Sequence, residues 1–212
     1  MDAKEKKLIS EGPNMGLGAI FTNNFHFAGE NLFDRGHQAR LFTIIRHPVD
    51  RTLSEYHTFI QNLEDGTNIS VEEFIQGPDY NANWFTAFVG KSNGSPTNAN
   101  LQVAKELLRT KYLIGVYDDI IGSLNLFEDY FFWKHDRFNS FSTKCNKKSF
   151  KKEYARNFAV YHSIGHHVRK GSKVYNSIIE MNQFDMELYW FGVELNRCQR
   201  AWIPELNDAI TP

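Results

Sequence analysis

"LFTIIRHPVDRTLSEYH", residues 41–57, decides how the chain is read. Five mostly apolar residues run straight into Arg46. Pro48 follows two positions on, with a second arginine at 51 and a serine at 54. The apolar run from Arg40 to Arg46, rich in β-branched residues, predicts a fully buried strand of the kind typical of parallel sheets. Pro48 ends that strand and suits the first turn of a helix. Val49, Leu53, Tyr56 and Ile60 then recur at helical spacing, which predicts a helix to about Asn62, ended by "EDGTN". An arginine at the carboxyl end of a strand offers a fixed fork of donors to phosphate-like oxygens, and a serine two turns into the next helix adds a hydroxyl. On spacing alone two readings stand: an anion site, or an arginine closing a strand beside a solvated serine.

Downstream, "SVEEFIQ" from Ser70 has a capping-box pattern, with Glu73 three residues after the serine. "NANWFTAFVG" reads as a short helix ending at Gly90. "NANLQVAKELLRTK" reads as an amphipathic helix with Leu101, Ala104, Leu107 and Leu108 on one face. "YLIGVY", 112–117, predicts a second buried strand, after which Asp118 or Asp119 can cap a helix to about Trp133. Helix resumes near Ser172, turns at "NQFD", and continues with Leu188, Phe191 and Leu195 facing inward. This order predicts an α/β fold, a small parallel sheet flanked by helices. Ligands in such folds gather at the carboxyl ends of the strands, where Arg46 sits. Residues 1–18 read as a loosely ordered N-terminal segment, 19–203 as the domain, and 204–212 as a C-terminal tail.

At 212 residues, 42% hydrophobic and 23% charged, the chain can bury a core as one domain. No run reaches the roughly eighteen apolar residues of a membrane span, and the start lacks the apolar segment of a signal peptide. Two cysteines, Cys145 and Cys198, exclude a cysteine-rich zinc framework or a dense disulfide scaffold. The eight histidines show no metal-ligand spacing, so no metal is expected. Sequons at Asn68 and Asn93 matter only in a secreted chain. Net charge is −1, yet eleven Lys or Arg lie between Lys134 and Lys173 against Asp136 and Glu153 alone. The rest of the chain holds thirteen basic and twenty-three acidic residues. Such a local excess fits an anionic partner or a solvated basic loop.

"IIRHPVDRTLSEYH" resembles the 3′-phosphate-binding signature of sulfotransferases that use 3′-phosphoadenosine-5′-phosphosulfate: apolar strand, then Arg46, Pro48, Arg51, Ser54 and Tyr56, with His47 after the first arginine. "NLQVAKELLRTKYLIGVYDDIIGSLNLFEDYF" is similar to the Ala-Lys helix, glycine-bearing strand and following helix of the membrane-associated carbohydrate sulfotransferases. "IIEMNQFDMELYWFGVELNRCQ" is similar to their C-terminal Asn-x-x-Asp-x-x-Leu-Tyr helix. The likeness spans roughly 19–200. It implies a P-loop-NTPase-like sulfotransferase fold, with Arg46 and Ser54 binding the nucleotide.

Nearest in pattern are the heparan and dermatan 2-O-sulfotransferases. In that branch "NNFHFAGENLF" implies His26 as the catalytic base, and "HHVRKGSKVYN" implies Arg169 and Lys170 as contacts to the nucleotide's phosphates. The rival reading of His26 is a structural residue packed among Phe25 and Phe27, and His37 is a weaker alternative base. The family's 5′-phosphosulfate loop, a Gly/Ser/Thr-rich turn with a Lys, has no counterpart before residue 41; "GPNMGLGAIF" lacks the Lys and the hydroxyl. The resemblance therefore implies an N-terminally truncated domain or a nucleotide- or polyanion-binding remnant. It also implies a carbohydrate acceptor, no nucleic acid partner and a Golgi setting, with any membrane anchor in an upstream segment. A histidine phosphatase, hinted at by "RHP", wants Arg-His-Gly at the start of the domain, and Pro48 blocks the close backbone approach.

Overall fold

Residues 41–63, 69–131, 152 and 168–210 are described by the structure, a computed structural model. Strand β1 (Leu41–Ile45) leads into helix α1 (Pro48–Gln61), then α2 (Val71–Gln76), α3 (Trp84–Val89) and α4 (Asn98–Lys111). Strand β2 (Tyr112–Val116) follows directly, then a 3₁₀ turn at Tyr117–Asp119 and helix α5 (Ile120–Phe131). Helices α6 (Lys173–Met181) and α7 (Gln183–Ile210) complete the described chain. The architecture is mostly helical with a two-stranded parallel sheet, α/β in the broad sense expected. Helix α7 runs on to Ile210, through the stretch read as a tail.

Local chemistry explains the boundaries. Pro48 occupies the first turn of α1, and Asn62 closes that helix. Ser70 and Glu73 form the expected capping box at α2. Thr97 and Asn100 form a second one at α4, which the sequence reading did not anticipate. Tyr56 donates to the Ile69 carbonyl at 2.6 Å and so ties α1 to the start of α2. Leu101, Ala104 and Leu108 are fully buried as predicted, while Leu107 is half-buried.

Every residue of β2 is buried. Its Tyr112, Ile114 and Val116 backbone groups share one edge, and a buried edge needs partners for each of them. Side chains provide them. Gln199 accepts from the Ile114 N–H at 2.9 Å and donates to the Tyr112 carbonyl at 2.8 Å. Asn196 donates to the Ile114 carbonyl at 2.6 Å, and Ser123 Oγ accepts from the Val116 N–H at 2.8 Å. Helix α7 thus stands where a further strand could have paired.

Strand β1 is less covered than its apolar run predicts. Ile45 is buried, but Ile44 is 40% exposed. Phe42 packs on Phe127 and Phe131 of α5, with ring centroids 5.2 and 5.7 Å apart. On the other face Ile45 lies under Gly192 of α7, where a Cβ would come within 2.6 Å of its Cδ1. Ile44 lies near Phe127 and Ser123 of α5 across Gly115, yet stays half in solvent.

Among the described residues, two hydrophobic clusters hold the layers. One joins Val49 and Leu53 of α1 to Phe74 and Ile75 of α2, Val174 and Ile178 of α6, and Val168 of the preceding loop. The other joins Leu113 of β2 to Leu126 and Phe127 of α5 and Ile203 of α7. A reciprocal pair of helix caps joins the starts of α3 and α7. Asn83, in a left-handed conformation at φ 54°, accepts from the Phe184 and Asp185 N–H groups at the start of α7, at 2.9 and 3.1 Å. Asp185 in turn accepts from the Phe85 and Thr86 N–H groups at the start of α3, at 3.1 and 2.7 Å. Asn182, fully buried, accepts from the Asn83 N–H at 2.9 Å and donates to the Tyr80 hydroxyl, which also hydrogen-bonds Thr52 of α1.

Removing Asp185 strands the buried Thr86 N–H and the part-buried Phe85 N–H, so Asp185→Ala lowers unfolding free energy by about 2–4 kcal/mol. Asp185→Asn, which keeps one acceptor, loses less. Denaturant titration of the single variants and of the Asn83→Ala/Asp185→Ala pair gives a coupling of order 1 kcal/mol. Strictly additive losses would mean that the two caps act independently.

Candidate functional site

Parallel strands put the carboxyl ends of β1 and β2 side by side, and both ends carry site residues. The Arg46 guanidinium lies over the Tyr117 ring, 4.5 Å from its centroid. Tyr117 follows β2 directly, so the two strands deliver a cation and its aromatic platform to one place; such contacts are worth about 0.5–2 kcal/mol. No role for Tyr117 came from the sequence, where it read as the last residue of an apolar strand.

His47, next along, is the N-cap of α1. Its Nδ1 accepts from the Val49 N–H at 3.3 Å, and its carbonyl accepts from the Arg51 N–H at 2.9 Å. Pro48 contributes no N–H. The first turn of α1 is therefore partly self-satisfied, and anion recognition here falls to side chains more than to helix amides. The His47 ring packs edge-on against Tyr189 and Trp190 of α7, with centroids 5.2 and 6.3 Å away. Tyr189 is buried and donates to Asp118 at 3.1 Å, whereas Trp190 is 57% exposed.

Ser54 is half-buried on α1, one helical turn beyond Asp50 and on the same face. Arg169 and Lys170 are exposed in a tight turn. That turn is closed by Ser172 N–H to the Arg169 carbonyl at 2.9 Å, with Gly171 at φ +82°, a conformation glycine adopts without strain. Val168 anchors it in the cluster that contains Val49 and Leu53, which brings the turn against the start of α1. Lys170 comes near enough to act electrostatically on His47. Arg46, His47 and the Arg169–Lys170 turn are thus neighbours around one helix start. The candidate base His26 and its alternative His37 lie outside the described residues.

Other signature residues serve the scaffold. Arg51 pairs with Glu55 at 2.7 Å and donates to the Asn81 carbonyl at 3.1 Å. Lys105 of the Ala-Lys helix pairs with Glu187 of α7. Of the C-terminal Asn-x-x-Asp-x-x-Leu-Tyr motif, Asn182 and Asp185 hold helices, Leu188 fills the core, and Tyr189 alone reaches His47.

Charges at the site are mixed. Burial pushes the His47 pKa below its ordinary 6.5; Asp50 and Asp118 pull it back up, and Lys170 lowers it further. Tyr189 is pushed well above the usual phenol range, first by burial and then by Asp118. His47 is accordingly neutral near pH 7, with Nδ1 as acceptor and the proton on Nε2.

A histidine whose pKa is depressed by folding stabilises the native state fully above its unfolded value, and that stability is lost as pH falls. His47→Ala therefore costs about 1 kcal/mol at pH 8, and His47→Asn, which retains a capping acceptor, restores most of it. Below about pH 6.5 wild type loses stability relative to His47→Asn, as protonation removes the Nδ1 acceptor. Denaturant melts of the three proteins between pH 5 and 8 test this; parallel curves for wild type and His47→Asn would remove the cap from the pH response.

Compared with protein families, with characterised proteins and with solved structures, the chain matches none.

Proposed function

We propose that the chain binds the 3′-phosphate end of 3′-phosphoadenosine-5′-phosphosulfate and belongs to the carbohydrate sulfotransferases, on a P-loop-like sulfotransferase fold. One observation carries this reading most. Val168, next to the Arg169–Lys170 turn, packs in the cluster that holds Val49 and Leu53 of α1, the helix that Arg46 precedes. Two segments more than a hundred residues apart in sequence, both picked out by the resemblance, thus supply cations to one helix start.

In this reading Arg46 and Ser54 grip the 3′-phosphate, while Arg169 and Lys170 add charge to the remaining phosphate oxygens. Transfer is in-line: the acceptor hydroxyl oxygen bonds to sulfur as the sulfur–oxygen bond to the 5′-phosphate breaks, leaving adenosine 3′,5′-bisphosphate. His26 takes the hydroxyl proton. As in phosphoryl transfer, the protein's work is positioning and charge stabilisation. The acceptor is a carbohydrate, and the basic stretch from Lys144 to Arg156 suits an acidic one.

A second reading rests on the same residues, Arg46, Ser54 and the Arg169–Lys170 turn, without the transfer chemistry. The chain would then be a nucleotide- or polyanion-binding module without transfer activity.

Calorimetric titration with adenosine 3′,5′-bisphosphate tests the shared core of both readings. Wild type binds it more tightly than adenosine 5′-monophosphate, and Arg46→Ala weakens binding roughly tenfold or more, the worth of a charged hydrogen bond. Higher salt weakens it further. Absence of binding, or an Arg46→Ala protein that binds like wild type, ends both. Transfer of labelled sulfate from the donor to desulfated heparan, lost in His26→Ala with nucleotide binding kept, separates the enzyme from the binding module.

A further inference from the structure

We infer that Asn93 is a self-modification site, at which the Gly94 backbone nitrogen attacks the Asn93 side-chain carbonyl and the residue converts to aspartate or isoaspartate. The reaction takes water as its co-reactant and needs no ligand, so it stands apart from the nucleotide reading above.

The surroundings of the turn carry it. Asn93–Gly94 is the single Asn-Gly pair in the chain, a dipeptide that marks tight turns. It lies between α3 and α4, and Asn93, Gly94 and Ser95 are all exposed. Nothing stands within 4 Å of where a Cβ on Gly94 would lie, so the attack meets no obstruction from that side. Among the described residues neither the Asn93 side chain nor the Gly94 N–H makes a hydrogen bond. The local one runs from Ser92 Oγ to the Gly94 carbonyl at 2.8 Å and leaves the nitrogen uncommitted. Other asparagines are held. Asn83, Asn100 and Asn196 each donate a side-chain amide to a backbone carbonyl, at 2.8, 3.0 and 2.6 Å. Turning such an amide toward the following nitrogen breaks a bond that Asn93 does not have.

In the reaction the bond from Gly94 N to Asn93 Cγ forms as the Cγ–Nδ2 bond breaks. The Gly94 amide proton leaves with the side-chain nitrogen as ammonia, and a cyclic imide remains. Water then opens the ring at either carbonyl. Opening at Cγ gives aspartate; opening at the main-chain carbonyl gives isoaspartate, with the backbone rerouted through Cβ and Cγ. Either product replaces a neutral amide by a carboxylate, one unit below the present net charge of −1, and erases the sequon at Asn93. Glycine favours the step, because without a Cβ its backbone reaches the attack geometry freely. The fold tolerates the product, since both ends of the turn are anchored independently of it. Ser92 N–H donates to the Ala87 carbonyl of α3 at 2.9 Å, Pro96 is buried, and Thr97 with Asn100 caps α4.

The test incubates the folded full chain in water labelled with heavy oxygen, at mildly acidic and at mildly alkaline pH, and maps its peptides by mass spectrometry. The expected result is that the peptide holding Asn93 exchanges its NH2 for a labelled hydroxyl ahead of every other asparagine. Conversion is faster at alkaline pH, where the Gly94 amide loses its proton more readily. Enzymatic methylation specific to isoaspartate separates the two products. Gly94→Ala, whose Cβ enters open space, keeps wild-type melting yet converts roughly tenfold more slowly, because the reacting atoms meet less often in the attack geometry. An unchanged mass at Asn93, a faster reaction at another asparagine, or a Gly94→Ala chain that converts as fast as wild type overturns the inference. Conversion in denaturant but not in the folded chain overturns it as well, and shows that the turn holds Asn93 away from the attacking nitrogen.

Discussion

A buried strand cannot leave its amides and carbonyls unpaired, because each stranded group costs about 1–3 kcal/mol. Strand β2 is buried at every residue, and along the edge carrying Tyr112, Ile114 and Val116 its partners are the side chains of Gln199, Asn196 and Ser123. That requirement fixes α7 in register along the sheet, since Asn196 and Gln199 lie one turn apart and must meet successive backbone groups. Once α7 is placed, Gly192 lies on Ile45 and the helix passes close over β1. Within one turn toward its N-terminus, Tyr189 and Trp190 fall against His47. The wall of the candidate site is therefore a consequence of how a sheet edge is satisfied.

The other end of α7 is held just as firmly by exchanged caps. Asn83 and Asp185 each supply the acceptor that the other's helix start needs. A six-residue helix such as α3 has little stability of its own, because nucleation is costly and few bonds reward it. Buried Asp185, 2% exposed, gives α3 its start, and α3 presents Asn83 in the left-handed conformation that caps α7 in return. Neither helix start is complete without the other, so the contact behaves as one unit.

Legibility in the sequence followed the range of the interaction. Elements declared by periodicity and local caps were readable: α1 from Pro48 to about Asn62, the Ser70–Glu73 box, the Leu101–Ala104–Leu108 face, and β2 as a buried strand. The depth of β1 was misjudged, because an apolar run says that a strand can be covered and not how completely; Ile44 stays 40% exposed. The reciprocal caps were invisible, since Asn83 and Asp185 lie about a hundred residues apart and carry no periodic trace. At the site, Arg46 was legible from its position at a strand end. Tyr117 was missed because an aromatic after an apolar run reads as more strand. His47 was noted as a motif position, but its capping role depends on a backbone angle that sequence does not display.

The division of labour within the signature residues bears on what such a signature can say. Arg51, Tyr56, Asn182, Asp185 and Leu188 spend their hydrogen bonds or their apolar surface on neighbouring elements. Arg46, His47 and Tyr189, with Lys170, lie around the start of α1, while Ser54 sits half-buried farther along that helix. Most of the pattern is thus accounted for by folding energetics alone, and a chain that kept only its scaffold would still display it. What folding does not require is Lys170, exposed on a turn that Val168 and Gly171 would hold whatever side chain stood there. Lys170 acts on His47 together with Asp50 and Asp118, so the charge around the start of α1 is mixed, and the exposed lysine is the position whose identity the fold leaves open.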